Sequence, residues 1–302
     1  HTFQPLLYQV ATASLSPADI AKPIRSILRS QDNVRAVLMA EALSVDPAGQ
    51  ILNTDAGPIP YDFLVLATGA RHSYFGHDDW EPYAPGLKSL EDALEIRRRV
   101  LSAFEEAERT EDEVERDRLL TFVVIGGGPT GVELAGALGE ISRYTLAREF
   151  DRIDPTWARI FLFEAAPRIL PAFPESLARK ATGYLNQVGV QVRTDTAVSE
   201  VDADGVVAGG RRFRAGTVLW AAGVAASPIG KSLGTELDRA GRIVVQPDLS
   251  VKEYPNIFAV GDLASLAGPD GKLYPGVAQV AMQEGIQVGA NIRRRLAGQP
   301  EE

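Results

Sequence analysis

Three glycines carry the first chemical signal in this sequence. Gly126, Gly128 and Gly131 stand in the spacing G-x-G-x-x-G within Thr121 to Ala137, T-F-V-V-I-G-G-G-P-T-G-V-E-L-A-G-A. The first glycine of such a turn permits the sharp change of direction. The second lets a pyrophosphate approach the backbone, and the third lets helix and strand touch. A phosphate there would sit at a helix N-terminus, where free N–H groups and the dipole favour an anion. Gly126, Gly128, Pro129 and Gly131 are therefore candidate dinucleotide-binding residues. The competing reading is an ordinary glycine-rich turn with no ligand.

Two acids extend the candidate chemistry. Glu164 closes the run R-I-F-L-F-E, thirty-three positions after Gly131, against a usual gap of about 20 residues. An acid at the end of the second strand can accept both ribose hydroxyls of an adenosine and repels a 2′-phosphate, which favours NADH over NADPH. Arg168 nearby is the counter-argument, and a plain surface acid is the alternative. Asp262 follows Gly261 at the end of I-F-A-V-G-D, where it could accept a sugar hydroxyl or simply cap a turn.

These residues need elements to position them. Phe122 to Ile125 form an apolar run without helical period, the mark of a buried parallel strand, and Val132, Leu134, Ala135 and Leu138 mark the helix packed on it. That helix is expected to run through Glu149 and to break at Asp154-Pro155. Further buried strands are expected at Tyr61 to Ala70, Arg159 to Glu164, Val190 to Val192 and Thr217 to Ala222. Helices are expected over Ser89 to Arg109, opened by a capping box with Asp92, over Glu175 to Val188, and over Gly276 to Leu296. Val34 to Leu52 and Ala197 to Arg214 read as antiparallel meanders, and the opening H-T-F-Q-P-L-L-Y-Q-V as a strand end or loop. The alternation of strand and helix gives an α/β chain with an open parallel sheet. One strand ends A-T-G at 67–69 and another A-A-G at 221–223, an echo that suggests two related nucleotide-binding lobes.

Bulk properties narrow the classes. The chain has 302 residues, enough for two domains, and its net charge of −9 without a basic stripe argues against nucleic acid. It has no cysteine and only three scattered histidines, so thiol chemistry and a metal cluster are not expected. No apolar run approaches a membrane span. It does not begin with Met, and both ends read as cut from a longer protein.

Taken together, Y-D-F-L-V-L-A-T-G-A, V-I-G-G-G-P-T-G-V-E-L-A, W-A-A-G-V-A-A-S-P and I-F-A-V-G-D resemble the flavoprotein reductases with two dinucleotide-binding domains. F-Q-P-L-L-Y-Q-V-A-T and P-G-V-A-Q-V-A-M-Q narrow the resemblance to the type II, non-proton-pumping NADH:quinone oxidoreductases. The resemblance implies two Rossmann-like three-layer domains. An FAD-binding domain would comprise 1–88 and 226–302, with an NAD-binding domain, 89–225, inserted in it. It implies FAD and NAD as cofactors, with NADH the electron donor. Glu164 would bind the adenosine ribose, Glu133 would lie near nicotinamide and flavin, and Gly223 with Val224 would line the nicotinamide side. Ala67, Thr68, Gly69, Gly261 and Asp262 would contact FAD, while Ala278, Gln279 and Gln283 would border flavin and quinone.

The implied partners are a quinone and the cytoplasmic face of a membrane, held through a C-terminal region beyond this sequence, with a homodimer as the implied assembly. The resemblance also places the first, FAD-cradling glycine fingerprint upstream of His1. Relatives that relay electrons through cysteines, the disulfide and sulfide:quinone reductases, do not fit a cysteine-free segment. Two other readings stand beside the quinone reductase. One is a soluble NADH-dependent flavin reductase serving a ferredoxin- or rubredoxin-like acceptor. The other is a non-catalytic NADH-binding module.

Overall fold

The computed structural model describes residues 1–34 and 37–299. The chain divides into two compact units, one of residues 1–33 and 73–223, the other of residues 34–72 and 224–302.

The first unit is built on a parallel sheet of Thr121–Ile125, Arg159–Phe163, Val190–Arg193 and Thr217–Trp220. The last of these lies beside the first, so that Thr121–Ile125 is flanked by Thr217–Trp220 and Arg159–Phe163, with Val190–Arg193 at the far edge. This order reverses direction between Thr121–Ile125 and Thr217–Trp220, which makes a switch point there. All five residues of Thr121–Ile125 are buried, because both faces of the sheet are covered. Phe122, Val124, Ile160, Leu162 and Leu219 face one core with the helices, while Val123, Ile125, Phe161, Phe163, Val218 and Trp220 face another. The strand period of two divides the side chains between these layers.

On the helical face, Pro129–Glu140 and Leu90–Arg109 pack on the sheet. Leu90–Arg109 buries Ala93, Ile96, Val100, Ala103, Phe104 and Ala107, a stripe of helical period, and its Ser89–Asp92 capping box forms as expected. The opposite face is covered by an antiparallel sheet of Val198–Asp202, Gly205–Ala208 and Arg211–Arg214. Phe213 meets Phe161 and Phe163 edge-on, at ring separations of 5.2 and 5.0 Å.

Two expectations are corrected. The opening stretch is a turn of 3₁₀ helix, Gln4–Leu6, running into α-helix Leu7–Ala11. Leu7, Val10 and Ala11 are spaced for one helical face and join the core of the first unit. The helix after the glycine turn stops at Glu140 and passes into a π turn, Ile141–Thr145, rather than reaching Glu149. There the Ser142 hydroxyl donates to the Gly139 carbonyl at 3.0 Å, competing with the α-helical ladder. Residues 1–33 and 73–88 group with 89–223, since Leu7, Val10 and Ile20 share a core with Leu90–Arg109 and Tyr74, Trp80 and Ala84 pack with Trp220.

The second unit has a sheet in the order Ser250–Val251, Tyr254–Ala259, Leu64–Leu66. The last two strands are parallel. The expected meander takes the form Ala42–Asp46, Ile51–Thr54, Gly57–Pro60, and Ala70–His72 pairs antiparallel with Val224–Ala226. Helix Ala278–Leu296 packs Val288 into this unit's core. Arg35 and Ala36, within the stretch read as strand from Val34, lie outside the described residues. No helix among the described residues is long and apolar enough to cross a membrane.

Candidate functional site

The glycine turn lies at the C-terminal edge of the parallel sheet, at its switch point, and its three glycines have different surroundings. Gly126 has φ +110°. A Cβ there would lie 2.5 Å from the Ala221 carbonyl group, so the turn and the neighbouring strand end leave no room for a side chain. A Cβ on Gly131 would lie 1.8 Å from the Gly126 carbonyl oxygen, which is how closely the helix approaches the strand end. Around the Cβ position of Gly128 no heavy atom stands within 4 Å. Two glycines thus close the turn by contact and the middle one opens to solvent. That is the division of labour a bound pyrophosphate requires. Gly128 is also the N-cap of Pro129–Glu140 and supplies no side-chain cap. No side chain caps the first N–H groups of the helix, where the dipole favours an anion.

Glu164 joins this turn directly. Its Oε2 accepts from the Gly127 N–H at 2.6 Å and its Oε1 from the Ala166 N–H at 2.7 Å. Each oxygen keeps a lone pair for a further donor. The long gap from Gly131 is filled by the π turn and by the 3₁₀ turn Pro155–Trp157, which Asp154 caps through the Thr156 N–H. Arg168 is engaged elsewhere, donating to the Phe173 and Pro171 carbonyls at 2.8 and 2.7 Å.

Gly223 follows Thr217–Trp220, on the side of the switch point away from Glu164. Its neighbour in space is Phe75: a Cβ on Gly223 would meet the Phe75 ring at 2.5 Å. Glu133 lies on the exposed face of Pro129–Glu140. Partial desolvation pushes its carboxyl above the ordinary carboxylate range.

The second unit gathers the other candidates. Leu64–Leu66 and Tyr254–Ala259 are parallel neighbours, and the Val260 N–H donates to the Leu66 carbonyl at 3.0 Å. The ends Ala67-Thr68-Gly69 and Gly261-Asp262 therefore emerge side by side. Gly69 and Gly261 have φ +65° and +69°, and nothing stands within 4 Å of a Cβ on Gly69. The start of helix Ala278–Leu296 reaches the same place: Ala281 Cβ lies 3.3 Å from the Cβ position of Gly261, and Asp262 Oδ1 lies 3.0 Å from that of Gly276. Ala278, Gln279 and Gln283 are all exposed on this helix.

The sequence reading passed over two residues. Glu284 is only 7% exposed, and its Oε2 accepts from the Gly261 N–H at 2.5 Å. Burial, with Asp262 adding to it, pushes its carboxyl up. A signal existed: Val280, Glu284 and Val288 recur every fourth residue, so the acid lies on the apolar stripe. The other is Phe75, whose exposed aromatic side chain follows no strand or helix period.

Comparison with known proteins gives the family. The sequence profile of the family described as Pyridine nucleotide-disulphide oxidoreductase matches residues 1–285. The chain is similar to Type II NADH:quinone oxidoreductase Ndh of Mycobacterium tuberculosis, 45% identical over 99% of this chain and 66% of the relative. It is 32% identical to Type II NADH:quinone oxidoreductase of Staphylococcus aureus over 98% of this chain and 73% of the relative. The solved structure of NDH2 from Plasmodium falciparum in complex with NADH shares the fold, with a TM-score of 0.81, 24% identity, and coverage of 87% of this chain and 57% of that one. The chain thus spans slightly less than two thirds of its Mycobacterium tuberculosis relative. With a family profile across nearly its whole length and relatives of one kind above 30% identity, the chain belongs to the pyridine nucleotide-disulphide oxidoreductase family and, within it, to the type II NADH:quinone oxidoreductases.

Proposed function

We propose that the chain is the nucleotide-binding part of a flavin-dependent enzyme that takes a hydride from NADH and passes two electrons to a membrane quinone. The observation that carries this reading is the glycine turn at the switch point, closed at Gly126 and Gly131 and open at Gly128. The relatives' names supply the acceptor, a quinone.

The residues present fit the dinucleotide such an enzyme needs and part of the surface its flavin would touch. Gly126, Gly128, Pro129 and Gly131 would hold the NADH pyrophosphate at the start of helix Pro129–Glu140. Glu164 would use its remaining lone pairs for the adenosine ribose hydroxyls. The engagement of Arg168 with two carbonyls supports NADH over NADPH, because that guanidinium is not held in reserve for a 2′-phosphate. Ala67, Thr68, Gly69, Gly261 and Asp262 would hold FAD where the two strand ends emerge together. FAD, when bound, supplies hydride acceptance from NADH and electron delivery to the acceptor. The chain's part is to bind, orient and exclude water. Gly223 would line the nicotinamide, Glu133 would face the nicotinamide and flavin, and Ala278, Gln279 and Gln283 would border the flavin and the quinone. The same reading gives the whole protein a peripheral attachment to the cytoplasmic face of a membrane and a homodimeric assembly.

An anaerobic visible spectrum of the purified protein tests this. The expected result is a flavin band that NADH bleaches, NADPH bleaches far more slowly, and a quinone restores. A protein that binds NADH but carries no flavin, either as purified or after incubation with FAD, would replace the enzyme by an NADH-binding module.

A further inference from the structure

Phe75 is 68% exposed, yet it occupies a backbone conformation that an aromatic residue rarely adopts. Its φ is +54°, the following Gly76 has φ +94°, and the His77 N–H donates to the Tyr74 carbonyl at 3.1 Å. Two successive positive φ values inside an i to i+3 hydrogen bond are the signature of a type I′ turn, whose first central position favours Asn, Asp or Gly. A bulky side chain there is strained, and burial of the ring does not offset that strain.

The turn is firmly braced. Trp220 donates through Nε1 to the Ser73 carbonyl at 2.9 Å, and the Ser73 N–H donates to the Gly223 carbonyl at 3.1 Å. Tyr74 packs on Trp220 with ring centroids 5.0 Å apart and donates its hydroxyl to the Ala84 carbonyl at 2.9 Å. Burial pushes the Tyr74 phenol up to about 12, so it remains a donor throughout the neutral range. The Phe75 ring then lies over Gly223, tilted against Trp220 at 6.1 Å.

This location has a direction. Glu164 stands at the end of Arg159–Phe163, the glycine turn at the end of Thr121–Ile125, and Gly223 just past Thr217–Trp220. A dinucleotide crossing the switch point with its adenosine at Glu164 and its pyrophosphate at Gly128 brings its second base to Gly223. We propose that Phe75 is a substrate-contacting residue, the preorganised apolar wall against which the nicotinamide ring of the bound dinucleotide packs. The proposal rests on the dinucleotide reading of the glycine turn. An exposed ring held rigidly gives contact area without the ordering cost of a mobile side chain, and the absence of a side chain on Gly223 leaves room for the tip of the ring.

Calorimetric titration of wild type, Phe75→Asn and Phe75→Tyr with NADH and with ADP-ribose, which lacks the nicotinamide, tests it. Asn tolerates the left-handed region, so the variant keeps its turn. The expected result is NADH binding about three- to tenfold weaker in Phe75→Asn, ADP-ribose binding within about twofold of wild type, and near wild-type NADH binding in Phe75→Tyr. NADH affinity unchanged or tightened in Phe75→Asn, or ADP-ribose affinity lost in step with it, overturns the wall while leaving the dinucleotide reading intact. Wild type that binds neither compound overturns both.

Discussion

At the scale of single residues, Gly128 and Gly131 are the same residue type three positions apart and are opposites in space. Gly128→Ala places a methyl in the open, at φ −71°, which any residue adopts. Its fold is expected to lose no more than about 0.5 kcal/mol, while NADH binding weakens by about tenfold or more because the methyl stands where the pyrophosphate approaches. Gly131→Ala drives a methyl into the Gly126 carbonyl, backbone against backbone, and is expected to cost about 3 kcal/mol or more of stability. Thermal melts paired with NADH titration separate the two; equal melting temperatures for both variants would contradict this division. The spacing announced the turn and the role of each glycine, but not the distances that close it at Gly126 and Gly131. Glu164 was likewise legible as the strand-end acid, whereas its bonds to Gly127 and Ala166 were not, since they depend on how the loop after it folds back.

At the scale of elements, two buried or bridged acids give stability opposite slopes with pH. On helix Leu90–Arg109, Glu95 lies between Arg98 and Arg99, at 2.8 and 2.7 Å, and the Arg98 hydrogen bonds, foremost, hold its carboxyl down from 4.5 to about 2. A depressed carboxyl contributes stability that is present above about pH 4.5 and lost as pH falls through about 2. The pair is partly exposed, so screening by solvent and salt keeps that contribution small. On helix Ala278–Leu296 the sign reverses. Burial raises the Glu284 carboxyl, so ionising it costs stability that returns as pH drops from its folded value toward 4.5. Glu284→Gln keeps an oxygen for the Gly261 N–H and is expected to be as stable as wild type at pH 7 or more so, with a flatter profile between pH 7 and 4.5. Glu95→Gln is expected to flatten the acid limb instead. Chemical denaturation at a series of pH values reads both; a Glu284→Gln profile parallel to wild type would refute the assignment.

Elements were read from sequence where a period or cap was strong. Ser89 with Asp92 fixed the start of its helix, and the apolar run Phe122 to Ile125 fixed a strand buried on both sides. The π turn at Ile141–Thr145 was not legible, because apolar spacing is nearly the same in an α helix and its continuation as π. Nor was the helix Leu7–Ala11, whose few residues gain their fold from the core of Leu90–Arg109 and not from intrinsic preference.

At the scale of the whole molecule, the first 33 residues group with residues 73–223. Val10 is fully buried in that core. Val10→Ala is expected to cost about 2 kcal/mol. In calorimetry it should lower the unfolding transition that NADH raises, because a ligand stabilises the unit it binds. Lowering a transition that NADH leaves in place would return these residues to the other unit.

The hydrogen bond between Ser73 and Gly223 has a kinetic and an evolutionary side. It joins the two ends of a stretch that interrupts the second unit, where Ala70–His72 must find Val224–Ala226. Closing a flexible loop of that length costs on the order of 4 kcal/mol in chain entropy. Once the first unit has folded, its own cooperativity has already brought the ends together, and the two strands meet as though a short turn linked them. A segment that enters and leaves at one point leaves the sheet that hosts it undisturbed, but because Leu7, Val10 and Ile20 pack in its core, exchanging it in evolution also requires a matching set of the first 33 residues.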